Sequence, residues 1–276
     1  MSNSEEIDRH EMPEQSIDNI EGEMTFLEHL EEFRWTLFRS VIAFAAGVAI
    51  VCFFLPQMGN ILQMPLRQAY AVNGIEYTGL VSYKPMGVFL VVIQIALMGG
   101  FVLSMPFVLY FLACFITPGL TERERKIVKP ACFASCLLFI AGVAVAYFVL
   151  MPITYTFLVR LNQIMGQKML LAASEHYNTV VWFSITTGVT FQFPLVLVIL
   201  IYIQTITVAQ LRSVRRPAFV GIMIFAALLT PGGDVFSLSL TTLILYGLYE
   251  LAIIFGLHIE KKARAAELDE WYDSEN

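Results

Sequence analysis

Six apolar stretches recur along this 276-residue chain, and their lengths constrain its fold more than anything else in it. A helix rises about 1.5 Å per residue, so crossing about 30 Å of hydrocarbon takes roughly 20 apolar residues. The stretches near 35–56, 86–105, 130–151, 178–203 and 236–257 meet that length. The one near 217–230 does not. Its residues cover only about 21 Å, so this fifth span either tilts little or meets a locally thinned bilayer. Charged residues make up 14% of the chain, where soluble domains average about 25%. The expectation is an all-α integral membrane protein with six transmembrane helices and a short, mismatched fifth span.

The ends differ from the middle. Residues 1–24 carry Glu5, Glu6, Asp8, Glu11, Glu14, Asp18, Glu21 and Glu23 with no apolar run. They read as a disordered acidic tail, and not as a signal peptide, which needs a basic start and an apolar core. Residues 25–258 form the membrane domain, and 259–276 a second charged tail. Cys52, Cys114, Cys132 and Cys136 lie in or beside apolar segments and read as small core residues, not as a disulfide frame or a metal site.

Basic residues orient the spans. Of the 17 Lys and Arg residues, only Arg67, Lys84, Arg160 and Lys168 fall on one side. The rest, including Arg34, Arg125, Arg215 and Lys261, fall on the other. Positive charge marks the cytoplasmic side, which puts both termini and the loops 117–129 and 204–216 there. The longer loops at 57–85 and 152–177 then face outward.

Against that rule, an acidic cluster stands just ahead of span one, in Thr25-Phe-Leu-Glu-His-Leu-Glu-Glu-Phe-Arg34. At 100° per residue Glu28, Glu31 and Glu32 share one face of an amphipathic helix. Phe26, Leu30, Phe33 and Leu37 share the other. Glu31 has Arg34 three residues on, and Glu28 can close a capping box with Thr25. Glu32 has no cation at i±3 or i±4, and a like charge at Glu28 costs it about 0.2–0.5 kcal/mol. In the loop 117–129 Glu122 has Arg125 and Lys126 within reach, whereas Glu124 has none. Glu124 is open to two readings, a capping box with Thr121 and a cation-binding role. For the acidic face the plain alternative is a solvated helix surface.

These motifs resemble the TatC family, the multispanning receptor subunit of the twin-arginine protein translocase. The resemblance rests on Phe26-Leu-Glu-His-Leu-Glu-Glu-Phe-Arg34, Ser104-Met-Pro-Phe-Val-Leu-Tyr110 and Phe115-Ile-Thr-Pro-Gly-Leu120 with Glu124. It continues in Ala146-Tyr-Phe-Val-Leu-Met-Pro152, Phe191-Gln-Phe-Pro194, Leu229-Thr-Pro-Gly-Gly-Asp-Val-Phe236 and Tyr249-Glu250. It implies a receptor for signal peptides that bear an arginine pair, in a translocase that exports folded proteins on the proton-motive force. It implies no catalysis and no cofactor. On this resemblance Glu32 and Glu124 take the positions of the signal-binding carboxylates, with Glu28, Arg34, Phe115 and Pro106 in the same region. Single-span TatA-like and TatB-like subunits, further copies of the chain and the lipid bilayer are the implied partners, and nucleic acid is not one. The implied location is a bacterial or archaeal cytoplasmic membrane.

Polar groups inside spans are costly and face protein or water. Gln192 stands in span four where many TatC sequences carry glutamate. Here the position cannot titrate, which leaves a polar anchor that wets a groove or bonds another helix. Glu250 in span six calls for a partner in the bundle or an interfacial position. Asp234 reads as closing the turn between spans five and six. Pro106 bends span two, and Gly99, Gly100, Gly142 and Ala146 permit close helix contacts. The competing class is a six-span transporter or channel for a small solute. It would rest on mid-membrane polar groups, of which Gln192 and Gln94 are the main ones.

Overall fold

The computed structural model describes residues 26–84, 86–119, 122–167, 169–229 and 235–275, and every regular element among them is helical. Helix α1 (Phe26–Phe53) is followed by α2 (Leu55–Val72) and α3 (Gly87–Ile116). A 3-10 turn over Thr117–Gly119 precedes α4 (Glu122–Val145). A π-helical turn over Ala146–Leu150 joins α4 directly to α5 (Met151–Ile164). Helices α6 (Ala173–Thr190) and α7 (Phe193–Tyr202) form one broken run, followed by the short α8 (Val208–Ser213). Helices α9 (Arg215–Leu229) and α10 (Val235–Glu275) come last. We call the end of the bundle at which α1 begins the near end, and the opposite end the far end.

Among the described residues five helical runs are long and apolar enough to cross a membrane: Leu27–Phe53, Gly87–Gly119, Arg125–Ile164, Ala173–Tyr202 and Val235–Lys262. The remaining expected span is α9, and with 15 residues it is short, as its sequence implied. The expected outward loops contain helices of their own. Helix α2 fills much of 57–85, burying Pro65, Leu66, Ala69 and Tyr70 while its other faces stay exposed. That one-sided pattern is too polar to read as a span. Span three was expected to stop before Pro152, yet the helix runs on to Ile164. The Met151 N–H bonds the Ala146 carbonyl across the wide π turn, and Pro152 then sits in the first turn of α5, where no N–H is required. Helix α3 likewise continues through Pro106 to Ile116.

Glycine sets the closest helix approach. A Cβ on Gly47 of α1 would lie 2.6 Å from the Gly100 carbonyl oxygen of α3, and one on Gly100 would lie 2.7 Å from the Val48 nitrogen. Gly99 faces Val51 in the same crossing. Helices α4 and α6 meet in the same way, a Cβ on Gly142 falling 2.9 Å from the Gly188 Cα. Without a hydrophobic drive between helices in lipid, such backbone approach supplies the van der Waals contact that holds them together.

The main core lies toward the far end. Leu66, Ala69 and Tyr70 of α2 pack with Leu150, Met151 and Tyr155 and with Val180 and Phe183 of α6. Fully buried His176 ties three elements there, its Nδ1 sitting 3.0 Å from the Tyr155 hydroxyl and its Nε2 3.0 Å from the Leu62 carbonyl oxygen. Gln63 bridges by donating to the Tyr177 hydroxyl at 2.6 Å and accepting from Arg67 and Tyr77. Burial raises the Tyr77 phenol above its ordinary value even with Arg67 opposing, so Tyr77 remains a neutral donor in this network. A second core joins Leu197 and Ile201 of α7, Val208 and Leu211 of α8, and Tyr249, Ala252 and Ile253 of α10.

Substituting Gly47→Ala or Gly100→Ala should destabilise the α1–α3 crossing by about 1–3 kcal/mol, because the clashing atoms are backbone or held by it. A lower midpoint of thermal unfolding in detergent is the expected readout. Gly221→Ala, whose added Cβ meets nothing within 4 Å, should leave the midpoint in place.

Candidate functional site

The inward face of α1 carries His29, Glu32, Thr36, Ser40 and Ala43, all half-buried, down to buried Gly47. This spacing of three and four residues is one helical stripe, and the Gly47–Gly100 contact points it at α3. Glu28 and Glu31 lie off the stripe and are exposed. The three acids are thus separated by the face they occupy. One carboxylate oxygen of Glu32, Oε2, is buried and has no hydrogen-bond partner among the described residues. A buried carboxylate oxygen without a donor is costly, because protein has replaced its water and returned nothing.

The end of α3 meets that stripe through Phe115. The His29 ring stacks on Phe115 with centroids 4.5 Å apart at 19°, and Phe33 touches the same ring at 5.6 Å. Phe115 therefore sits under the helical turn that bears Glu32. His29 was not singled out in the sequence, although its place three residues before Glu32 put it on the same face. Arg34 is exposed and makes no ion pair with Glu31, which corrects the pairing expected from their spacing. Both side chains point into open surface, where such a pair contributes little. Pro106 lies more than two helical turns before Phe115 and faces α4, its carbonyl accepting from the Cys136 thiol at 3.4 Å. The structure does not bring it to Glu32. Glu124 falls in the first turn of α4 at the near end, but its side chain lies outside the described residues, as do Thr25, Thr121 and their capping boxes.

The polar groups within spans are mostly spoken for. Gln192 accepts from the Ser135 hydroxyl at 2.7 Å and donates to the Ser135 carbonyl at 3.0 Å. It is a helix-to-helix anchor at the break between α6 and α7, one of the two roles open to it from the sequence. Glu250 pairs with Arg215 at 2.7 Å and accepts from the Tyr246 hydroxyl at 3.0 Å, so its partner is in the bundle. Tyr249 donates to the Leu211 carbonyl, and Glu260 accepts from the Val208 N–H at the start of α8. Together these bonds fasten α8 and the start of α9 to α10. Asp234 lies outside the described residues.

A family model described as Sec-independent protein translocase protein (TatC) matches residues 28–243. The chain belongs to the TatC family. A TatC of Azotobacter chroococcum is 33% identical over 90% of this chain and 94% of its own length. TatCy of Bacillus subtilis is 30% identical over 88% of this chain and 92% of its own. A crystal structure titled as the twin arginine translocase receptor TatC superposes with a TM-score of 0.73 at 30% identity, covering 84% of this chain and all of that one. The family-model match takes in the α1 stripe, Phe115 and the Ser135–Gln192 anchor, and it ends inside α10 before Glu250. As a TatC-family chain with these helical spans, the protein is a multi-pass membrane protein.

The anchor gives a direct test. Gln192→Leu removes both bonds to Ser135 and should lower the thermal midpoint by the equivalent of about 1–2 kcal/mol. Gln192→Glu should lose less, since a neutral carboxylic acid can accept from the Ser135 hydroxyl and donate to its carbonyl. Equal loss in the two variants, measured side by side in detergent, would remove the anchor role.

Proposed function

We propose that this TatC-family chain is the receptor for signal peptides bearing an arginine pair, and that the half-buried face of α1 around Glu32 is where one of the two arginines docks. The observation that carries this reading is the buried, unpartnered Glu32 Oε2 above the His29–Phe115 stack. A guanidinium is planar and presents paired donors that fit a carboxylate with two parallel hydrogen bonds. Bound there, it would supply the donor that Glu32 lacks. Phe115 holds the turn of α1 that aims Glu32, and an aromatic face beside a carboxylate also suits a guanidinium. Glu124, at the start of α4 on the same end, supplies the second carboxylate. Glu28 adds negative potential at the rim, and Arg34 is better placed as an interfacial anchor.

In this reading the near end faces the cytoplasm and both termini lie there, supported by the charge asymmetry of the loops. The membrane is the cytoplasmic membrane of a bacterium or archaeon. The arginines dock first, and the apolar stretch of the signal then leaves water along the helices. Single-span TatA-like and TatB-like subunits and further copies of the chain complete the translocase, and the proton-motive force drives transport of the folded cargo. The solute-carrier alternative rests on Gln192 and Gln94; of these Gln192 is engaged with Ser135, while the Gln94 Oε1 is buried with no hydrogen-bond partner among the described residues.

Each charge-assisted bond is worth about 1.5–3 kcal/mol, so losing one carboxylate should weaken peptide binding about tenfold to hundredfold. Glu32→Ala and Glu124→Ala should each show that loss by equilibrium binding of a twin-arginine peptide to the detergent-solubilised protein, with thermal midpoints retained. A lysine pair, which keeps the charge and lacks the fork, should bind more weakly than the arginine pair to the parent protein. Unchanged peptide crosslinking in both variants would remove the assignment. Phe115→Ala should weaken binding by less than Glu32→Ala, and Phe115→Trp should restore most of it.

A further inference from the structure

Hydroxyl groups on membrane helices usually bond the carbonyl four residues back. Thr156, Thr186, Thr190, Ser184 and Thr242 all do so here, at 2.6–2.9 Å. Thr187 of α6 and Thr241 of α10 do not. Both are only 2% exposed, and neither hydroxyl has a hydrogen-bond partner among the described residues. Leaving such a group dry and unbonded is costly, because water's hydrogen bonds are lost and nothing replaces them.

A cavity of about 40 Å³ lies one helical turn away, between α5, α6 and α10. Its polar lining is Thr154, Thr179 and Ser237, with Met151, Tyr155 and Phe183 among its apolar walls. The Ser237 hydroxyl donates to Thr154 at 3.1 Å across it. Phe183 and Thr187 are four residues apart on one face of α6, and Ser237 and Thr241 are four apart on one face of α10. The cavity wall and the two partnerless hydroxyls therefore share the same helix faces. One water needs about 10–15 Å³ and two to four polar partners, so this space has room for about three. Ser237 is the third residue of α10, so the path from the far surface is short.

We propose that the space between α5, α6 and α10 is a built water site, lined by Thr154, Thr179 and Ser237 and extended one turn inward by Thr187 and Thr241. Water there completes the hydrogen bonding of the two threonines and separates α6 from α10 at this level by a wet contact.

Two measurements on the full-length protein in detergent test it. Thr→Val keeps shape and removes the hydroxyl. Thr187→Val and Thr241→Val should each lower the thermal midpoint by about 2–4 °C, as a bonded hydroxyl is lost. If the hydroxyls are dry, the same changes remove an unbonded polar group and the midpoint rises, which overturns the proposal. Millisecond X-ray hydroxyl-radical labelling of the parent protein gives the second readout and needs no variant to fold. Met151, Tyr155 and Phe183 are at most 3% exposed, yet beside bound water they should label. Labelling no faster than at Phe139, buried at 1% and away from the cavity, would likewise overturn the site.

Discussion

The approach of α1 to α3 at Gly47 and Gly100 is the contact on which the near end depends. It brings backbone against backbone, and so fixes both the distance and the rotation of α1. The rotation decides which acid faces inward. With Gly47 against α3, the stripe that runs back from it passes through Ser40, Thr36 and Glu32 to His29. Turning α1 by one residue position would carry Glu31 or Phe33 inward instead. The Phe115 stack reinforces that setting at the other limit of the stripe, about five turns from the glycine. Little else covers α1, whose Leu27, Trp35, Leu37, Phe38 and Val41 remain exposed along its outer side.

Polar groups inside the bundle follow one rule with a few exceptions. Gln192 and Ser135, Glu250 and Arg215, Ser237 and Thr154, and His176 with Tyr155 each find partners on another helix. Such pairs replace the water that the membrane withholds. Among the described residues Glu32 is a charged exception, its Oε2 buried without a donor. The main core sits toward the far end, around α2, α5 and α6, away from Glu32.

The helical class, the five long apolar runs and the short α9 were legible because lipid imposes a length on apolar stretches. Helix α2 was not, since an amphipathic segment beside the bilayer carries no such length signal. Pro152 misled as a terminator because a π turn can pass it, and the sequence offers no mark of that turn. That Glu32 lacks a cation on its own helix was legible by elimination, through neighbours that could not pair with it. The reason it stands apart is different: it lies on the half-buried stripe that faces α3, and that follows from a tertiary contact. The expected Glu31–Arg34 pair failed for a related reason, because spacing permits an exposed ion pair without requiring one. Ser135 could not be found as the partner of Gln192 from sequence, since the two are far apart in the chain and meet only across the α4–α6 crossing.

The π turn at Ala146–Leu150 has a consequence for phase. An i→i+5 bond inserts one residue into a helix without lengthening it by a full turn, and everything after it is rotated by roughly 100° relative to what precedes. Helix α4 presents Ser135, Phe139 and Gly142 to α6 and α7, while α5 presents Thr154 to α10 and Tyr155 to His176. A single continuous rod thus addresses different neighbours at its two ends, with the change of heading made by one extra residue. Removing that residue would keep the rod's length nearly intact and put its two halves out of step with the helices around them.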